Sequence, residues 1–266
     1  MNFLLAATLF MSEPAESKQY ALFSRLEPQS IAEHLAFYNL YDTTELGNAA
    51  LQASLTLMGI QQKNISLSTK DVDPFLSLIQ RKKITSHDFS DAALQLIEQA
   101  ASKLSNRKLK GFLIKKTEDI LSLQDQDIDL SEALLYTQIE DSKTRRKMRA
   151  MIDLMALQLV ARLPAQATND QKIDAINHLL FTDMGFRFPP HSTFQKNIDL
   201  FTLLPSVIEE RKGVCLGVSL IYIALAQRID LPLEIVTPPG HIYIRTVDRN
   251  IETTMHGVHL HSSSYM

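Results

Sequence analysis

The sequence holds a single cysteine, Cys215, in 266 residues, so no intrachain disulfide can form and the fold must stand on its buried core. It has little excess charge of either sign. Lys and Arg number 27 against 30 Asp and Glu, a net charge of −3. So even a balance gives no reason to expect nucleic acid or an anionic membrane surface as a partner. Long hydrophobic runs are missing too, and the apolar stretch MNFLLAATLF at the start is far too short to span a bilayer as a helix. No fixed-period repeat stands out, which argues against a solenoid.

What is present is an apolar fraction of 45%, enough to bury a core in one large domain or two smaller ones. MNFLLAATLF has the texture of a short signal core, with Ala15 as a small residue beyond it, but no Lys or Arg precedes it. Residues 1–26 are therefore read as an N-terminal segment, either an atypical signal or a first helix. A cytoplasmic location is favoured, with export as the alternative.

From 27 to 162 the pattern is helix after helix. In SIAEHLAFYNLY, Ile31, Leu35, Phe37, Tyr38 and Tyr41 recur at near-helical spacing behind a Ser30 cap, with Glu33 three residues on. Thr44 opens TELGNAALQASLTLM in the same way, and DAALQLIEQAASKL and the long SEALLYTQIEDSKTRRKMRAMIDLMALQLVARL follow. Met148, Met151, Ile152, Met155 and Leu159 form one stripe, which reads as core. Two basic clusters, Arg107/Lys108/Lys110/Lys115/Lys116 and Lys143/Arg145/Arg146/Lys147/Arg149, lie among acidic residues and read as solvated helix faces. This region carries no chemistry and suits a partner-binding or lid role.

LPAQATND, residues 163–170, breaks the helical run and marks a domain boundary, with a second part at 170–266. Ile173, Ile176 and Leu180 mark one more helix, Leu203 to Glu210 a short one, and Cys215 to Arg228 another, after a turn at Gly213. Beyond Asp230 the period becomes that of strands, in LEIVT, PPGHIYIRT and NIETT. Helices followed by strands is an α+β order with a small antiparallel sheet.

Cys215 falls in the first turn of its helix, where free N–H groups and the positive end of the helix dipole stabilise a thiolate. A sulfur nucleophile needs that lowered pKa near neutral pH. His241, introduced by Pro238, Pro239 and Gly240, can accept the thiol proton and later protonate a leaving amine. A third group must fix the imidazole tautomer, and Glu252 is the candidate, with Asn250 and Asp248 behind it. Hairpin geometry leaves two outcomes open. A bend near Thr246 and Val247 sets 241 and 252 directly opposite on one face, whereas a two-residue turn at Asp248 and Arg249 sets Glu252 against Arg245 as an ordinary salt pair.

GVCLGVSLIYIALAQRIDLPLEIVTPPGHIYIR, followed by NIETT, resembles the catalytic core of the transglutaminase-like superfamily, which has a papain-like cysteine-peptidase fold. It is most similar to the bacterial branch often found beside tetratricopeptide repeats. The resemblance covers about 170–260 and is densest from Val207 to Gly257. It rests on a G-x-C at a helix start, a leucine-rich helix, L-P, a strand and then P-G-H. It implies Cys215 as nucleophile and His241 as base, with Glu252 where the superfamily usually has Asp, one methylene longer. The oxyanion hole would combine the Cys215 backbone N–H with Gln195 or Asn197 from STFQKNIDLF.

The substrate so implied is a protein or peptide amide, with no cofactor and no metal. Some members of the branch lack the cysteine, so a non-catalytic binding scaffold that keeps the fold is the alternative. The sequence given stops at Met266, where such cores usually continue with further strands, so either a minimal sheet or a continuing chain is expected. His256, His259 and His261 could join Cys215 around zinc, but HGVHLH has no familiar metal spacing and reads as a polar tail. Hydrolysis, deamidation and acyl transfer share this dyad, and the sequence does not display which nucleophile reaches the acyl-enzyme.

Overall fold

The computed structural model of the chain describes residues 15–61, 65–80, 89–189, 195–247 and 249–260. MNFLLAATLF lies outside the described residues. Among them are eleven α-helices and one four-stranded antiparallel sheet, an α+β fold. No described helix is long and apolar enough to cross a membrane.

The helical half follows its caps. After α1 (Ala15–Phe23), Ser30 accepts the Glu33 N–H at the head of α2 (Ile31–Leu40), and Thr44 accepts the Gly47 N–H at the head of α3 (Glu45–Leu57). Then come α4 (Thr69–Gln80), α5 (Asp91–Ala101) and α6 (Thr117–Leu121). The long pattern from Ser131 to Leu163 proves to be two helices, α7 (Leu130–Gln138) and α8 (Ser142–Arg162). Asp141 is the reason: it takes extended backbone and accepts the Thr144 N–H at 2.8 Å, an N-cap that starts a new helix. The methionine stripe of α8 is core, with Met148, Met151, Ile152, Met155 and Leu159 all at most 3% exposed.

The basic clusters are less solvated than their interleaved charges suggest. Arg107 pairs with the buried Asp153, Arg149 with the buried Glu132, and Arg146 donates two 2.7 Å bonds to Glu98. Charge spacing along the chain does not reveal which long side chains turn inward to meet a carboxylate on another helix.

After α9 (Asn169–Asn177) and one π-helical stretch, His178–Asp183, the chain passes α10 (Leu204–Glu210) and enters α11 (Cys215–Arg228). Every residue of α11 from Gly217 to Ala226 is buried, as expected for a helix that is hydrophobic all round. Helices α7, α8, α9 and α10 surround it. Its last turn is held by charge. Arg228, 1% exposed, donates Nε–H to Asp153 Oδ1 at 2.8 Å and Nη1–H to Ser131 Oγ and the Ala224 carbonyl. One α8 carboxylate thus serves two guanidiniums, those of Arg107 and Arg228.

The strands are β1 (Glu234–Val236), β2 (Tyr243–Arg245), β3 (Asn250–Glu252) and β4 (Val258–His259), neighbours in sequence order. Ile244 pairs with Ile251, and both enter the core. Strand β4 lies in what the sequence reads as a polar tail. Both its residues are exposed, so no inside–outside alternation announces it.

Candidate active site

Cys215 is the first residue of α11, and three features hold it there. Helix α10 ends at Arg211, which adopts the left-handed conformation with φ 52°. Arg211, and not Gly213, therefore makes the reversal; its buried guanidinium donates to the carbonyls of Met184 and Ser77. Gly213 is required for space instead, since a Cβ there would sit 2.9 Å from Val218 Cγ2 and 3.1 Å from the Val218 nitrogen. Second, the Val214 N–H donates to the Phe201 carbonyl at 2.9 Å. Third, that carbonyl comes so close to Gly217 that a Cβ would lie 2.3 Å from it. The 3-10 helix Gln195–Phe201 is thereby pressed onto the first turn of α11.

The N-cap of α11 is Val214, and no side chain caps the helix. Valine is a poor choice there, where Ser, Thr, Asp or Asn would add about 0.5–2 kcal/mol. The uncapped first turn leaves its amides and dipole to act on whatever charge forms at Cys215, whose side chain is part-exposed.

His241 is set by a tight turn. Its N–H donates to the Pro238 carbonyl at 3.1 Å, with Pro239 and Gly240 between and Gly240 at φ 78°, the residues a type II turn demands. The imidazole stacks on the Tyr243 ring at a centroid distance of 6.1 Å.

Glu252 lies within reach by a register that neither simple hairpin provides. Ile244 opposes Ile251, Arg245 opposes Asn250, and the Thr246 N–H closes the hairpin on the Arg249 carbonyl at 2.8 Å. Continued by one pair, this register puts Glu252 opposite Tyr243, hence diagonal to His241 and on the same face. A diagonal neighbour needs a long side chain, and glutamate has one. His241 Nε2 lies 2.9 Å from each carboxylate oxygen, and the Glu252 side chain is 2% exposed. Arg245, the competing partner, pairs instead with Glu234 directly across from it on β1.

The remaining candidates divide. Gln195 begins the 3-10 helix, but its side chain is outside the described residues; Asn197, in the same turn, is exposed. Asn250 ties down the β4 edge, donating to the Leu260 carbonyl and accepting from His259 Nδ1. Asp248 and His261 lie outside the described residues. His256 rests near the Phe181 ring at 5.3 Å. Among the described residues no group of three His, Cys, Asp or Glu side chains is arranged to hold a metal ion. A cleft of about 580 Å³, lined in part by Leu57, Met58, Leu157, Arg228 and Ile229, lies at the far end of α11, on the order of 20 Å of helix from Cys215.

Sequence reasoning passed over Thr253, Ser219 and Asn177. Asn177 Oδ1 accepts from the Tyr222 hydroxyl at 3.0 Å, and its Nδ2 donates to the Gly257 carbonyl. Burial holds that hydroxyl far above its usual pKa, so Tyr222 serves as a neutral donor. Each of these is a small polar residue inside a helix or turn, and nothing local marks its distant partner.

Residues 146–259 match the family model described as the transglutaminase-like superfamily. The match starts inside α8 and ends in β4, and takes in Cys215, His241 and Glu252. No curated protein and no solved structure was found to match the chain.

Proposed function

Starting from a transglutaminase-like domain over residues 146–259, whose fold is that of cysteine hydrolases and acyltransferases, we propose that this protein attacks amide bonds of a protein or peptide through Cys215, His241 and Glu252. The observation that carries the reading is the Glu252 carboxylate, almost fully buried and placed with both oxygens on His241 Nε2. Burying a carboxylate is costly unless it is paired, and the partner here is a part-exposed imidazole, unlike the guanidiniums that meet the buried Asp153 and Glu132.

The steps follow from the groups. An ionised Glu252 only accepts hydrogen bonds, so His241 Nε2 carries the hydrogen and Nδ1 is the basic nitrogen. Nδ1 takes the Cys215 proton, and the thiolate adds to the substrate carbonyl carbon. The oxyanion is met by the Cys215 backbone N–H together with Gln195 or Asn197 from the adjoining 3-10 helix. Collapse breaks the C–N bond as the imidazolium returns its proton to the leaving nitrogen, leaving a thioester. Water then releases an acid, or an amine forms a new amide, with the imidazole again as base. Glu252 stays ionised throughout and stabilises the imidazolium.

In this reading the helical region, residues 27–162, is the partner-facing part and 170–266 the catalytic part, although the family match already begins at Arg146.

The test is labelling by iodoacetamide across pH, followed by assays on peptide and glutaminyl substrates. Cys215 should alkylate rapidly near neutral pH, and Cys215→Ala should abolish both labelling and turnover. A thiol that reacts only as an ordinary cysteine, with a rate that His241→Ala does not change, would sink the proposal in favour of the scaffold.

A further inference from the structure

Beside the site is a pair of buried hydroxyls. Thr253, directly after Glu252 in the chain, is 1% exposed, and Ser219, in α11, is 0% exposed. Their oxygens are 3.1 Å apart, and Thr253 Oγ1 also donates to the Cys215 carbonyl at 3.5 Å. Because Thr253 uses its one hydrogen on that carbonyl, Ser219 must be the donor between them. Four residues separate Ser219 from Cys215, so the two stand on one face of α11, a turn apart. A serine inside a helix ordinarily bonds back to the carbonyl four residues earlier, which here is that of Cys215. Instead the Thr253 hydroxyl stands between them, taking the carbonyl for itself and accepting from the serine.

We infer that Thr253 is a positioning residue, which with Ser219 fixes the strand end bearing Glu252 against the helix turn bearing Cys215. The inference rests on the catalytic reading above for its consequence, but not for its geometry. Nucleophile and base come from different elements, α11 and the strand pair, and no sheet hydrogen bond joins these. The chain of contacts runs from the Cys215 carbonyl to the Thr253 hydroxyl, through one peptide unit to Glu252, and from its carboxylate to His241. The imidazole is therefore held relative to the thiol through two links, 3.5 Å at the Cys215 carbonyl and 2.9 Å at the imidazole. Thr253 is joined to Glu252 by one peptide unit, where β3 ends and a 3-10 turn begins, so a shift at Thr253 moves the acid beside it. Serine in place of Thr253 would keep the hydroxyl; valine would keep the shape and lose both hydrogen bonds.

Two readouts on folded protein decide it: the pH profile of Cys215 alkylation by iodoacetamide, and the titration of the His241 ring followed by NMR with labelled histidine. Thr253→Val should slow alkylation at neutral pH about fivefold to tenfold, the worth of one net hydrogen bond, and should displace the His241 titration. Thr253→Ser should restore both to within about twofold, and Ser219→Ala should move both in the same direction by less. If Thr253→Val does not fold, Ser219→Ala and Thr253→Ser carry the test, the first displaced and the second unchanged. A displaced His241 titration upholds the inference even if wild-type Cys215 reacts as an ordinary thiol, a result that would remove only the catalytic reading. Unchanged His241 titration and unchanged alkylation in the folded Thr253→Val and Ser219→Ala proteins would overturn it.

Discussion

Glu252 holds His241 diagonally across the β2–β3 hairpin, with both carboxylate oxygens 2.9 Å from Nε2. A directly opposite residue would meet the imidazole with a shorter arm; a diagonal one needs the extra methylene that glutamate has over aspartate. The length of the acid and the register of the hairpin thus fit each other.

That fit gives the first prediction. Glu252→Gln keeps the size and the acceptor but removes the charge, so in the proposed mechanism the imidazolium would lose its stabiliser. Turnover on a validated substrate should fall about 10²-fold or more, with the fold intact by circular dichroism. Glu252→Asp should also fall, since its shorter arm does not span the diagonal. Full activity in both would show that Glu252 is a bystander.

Two glycines with the same φ of 78° should respond differently to alanine. At Gly240 a Cβ would meet nothing within 4 Å, so the cost is backbone strain alone, about 1–2 kcal/mol. At Gly257 the same Cβ would lie 2.0 Å from Asn177 Oδ1, which shares the buried Tyr222 hydroxyl with the Ile173 carbonyl. Unfolding in urea should place Gly257→Ala lower in stability by a further 1–3 kcal/mol or so, the cost of forcing a side chain into filled space. Equal losses would mean that Asn177 moves aside freely.

The shared carboxylate of Asp153 sets up the third. Asp153→Ala leaves Arg228, fully buried, and Arg107, nearly so, without their counter-ion. Breaking such a pair costs about 3–5 kcal/mol. Denaturant midpoints should drop accordingly, and Asp153→Leu combined with Arg228→Met should recover part of the loss. A midpoint that hardly moves would show that water reaches the network.

Acid should expose a weaker ion pair. Hydrogen bonds from Arg146 hold the Glu98 carboxyl below its ordinary value of 4.5, against the opposing effect of burial. A depressed folded-state pKa gives stability that is present above the unfolded value and lost as pH falls through the folded one. Arg146→Met should therefore cost under about 1 kcal/mol near neutral pH, because both partners are partly exposed and screened by salt. Wild type and variant should converge below the ordinary glutamate range. A difference that persists undiminished in urea melts at pH 3 would assign the effect to packing of the arginine stem.

What the sequence determined was local. Ser30, Thr44 and the 3.6-residue pattern start and face the helices, the period change after Asp230 announces strands, and a lone cysteine heading a buried helix with a Pro-Pro-Gly-His turn downstream marks the candidate site. Each is written within a few residues, in caps, periods and turn chemistry. Only the tertiary structure decided what depends on partners far along the chain. It selected the hairpin register that makes Glu252 diagonal to His241, turned Arg107 and Arg149 inward, gave the reversal to Arg211 in place of Gly213, and brought Thr253 to the carbonyl of Cys215. Those choices are made by packing and by the need of buried polar groups to find partners, and a chain cannot show which partner is near until it has folded.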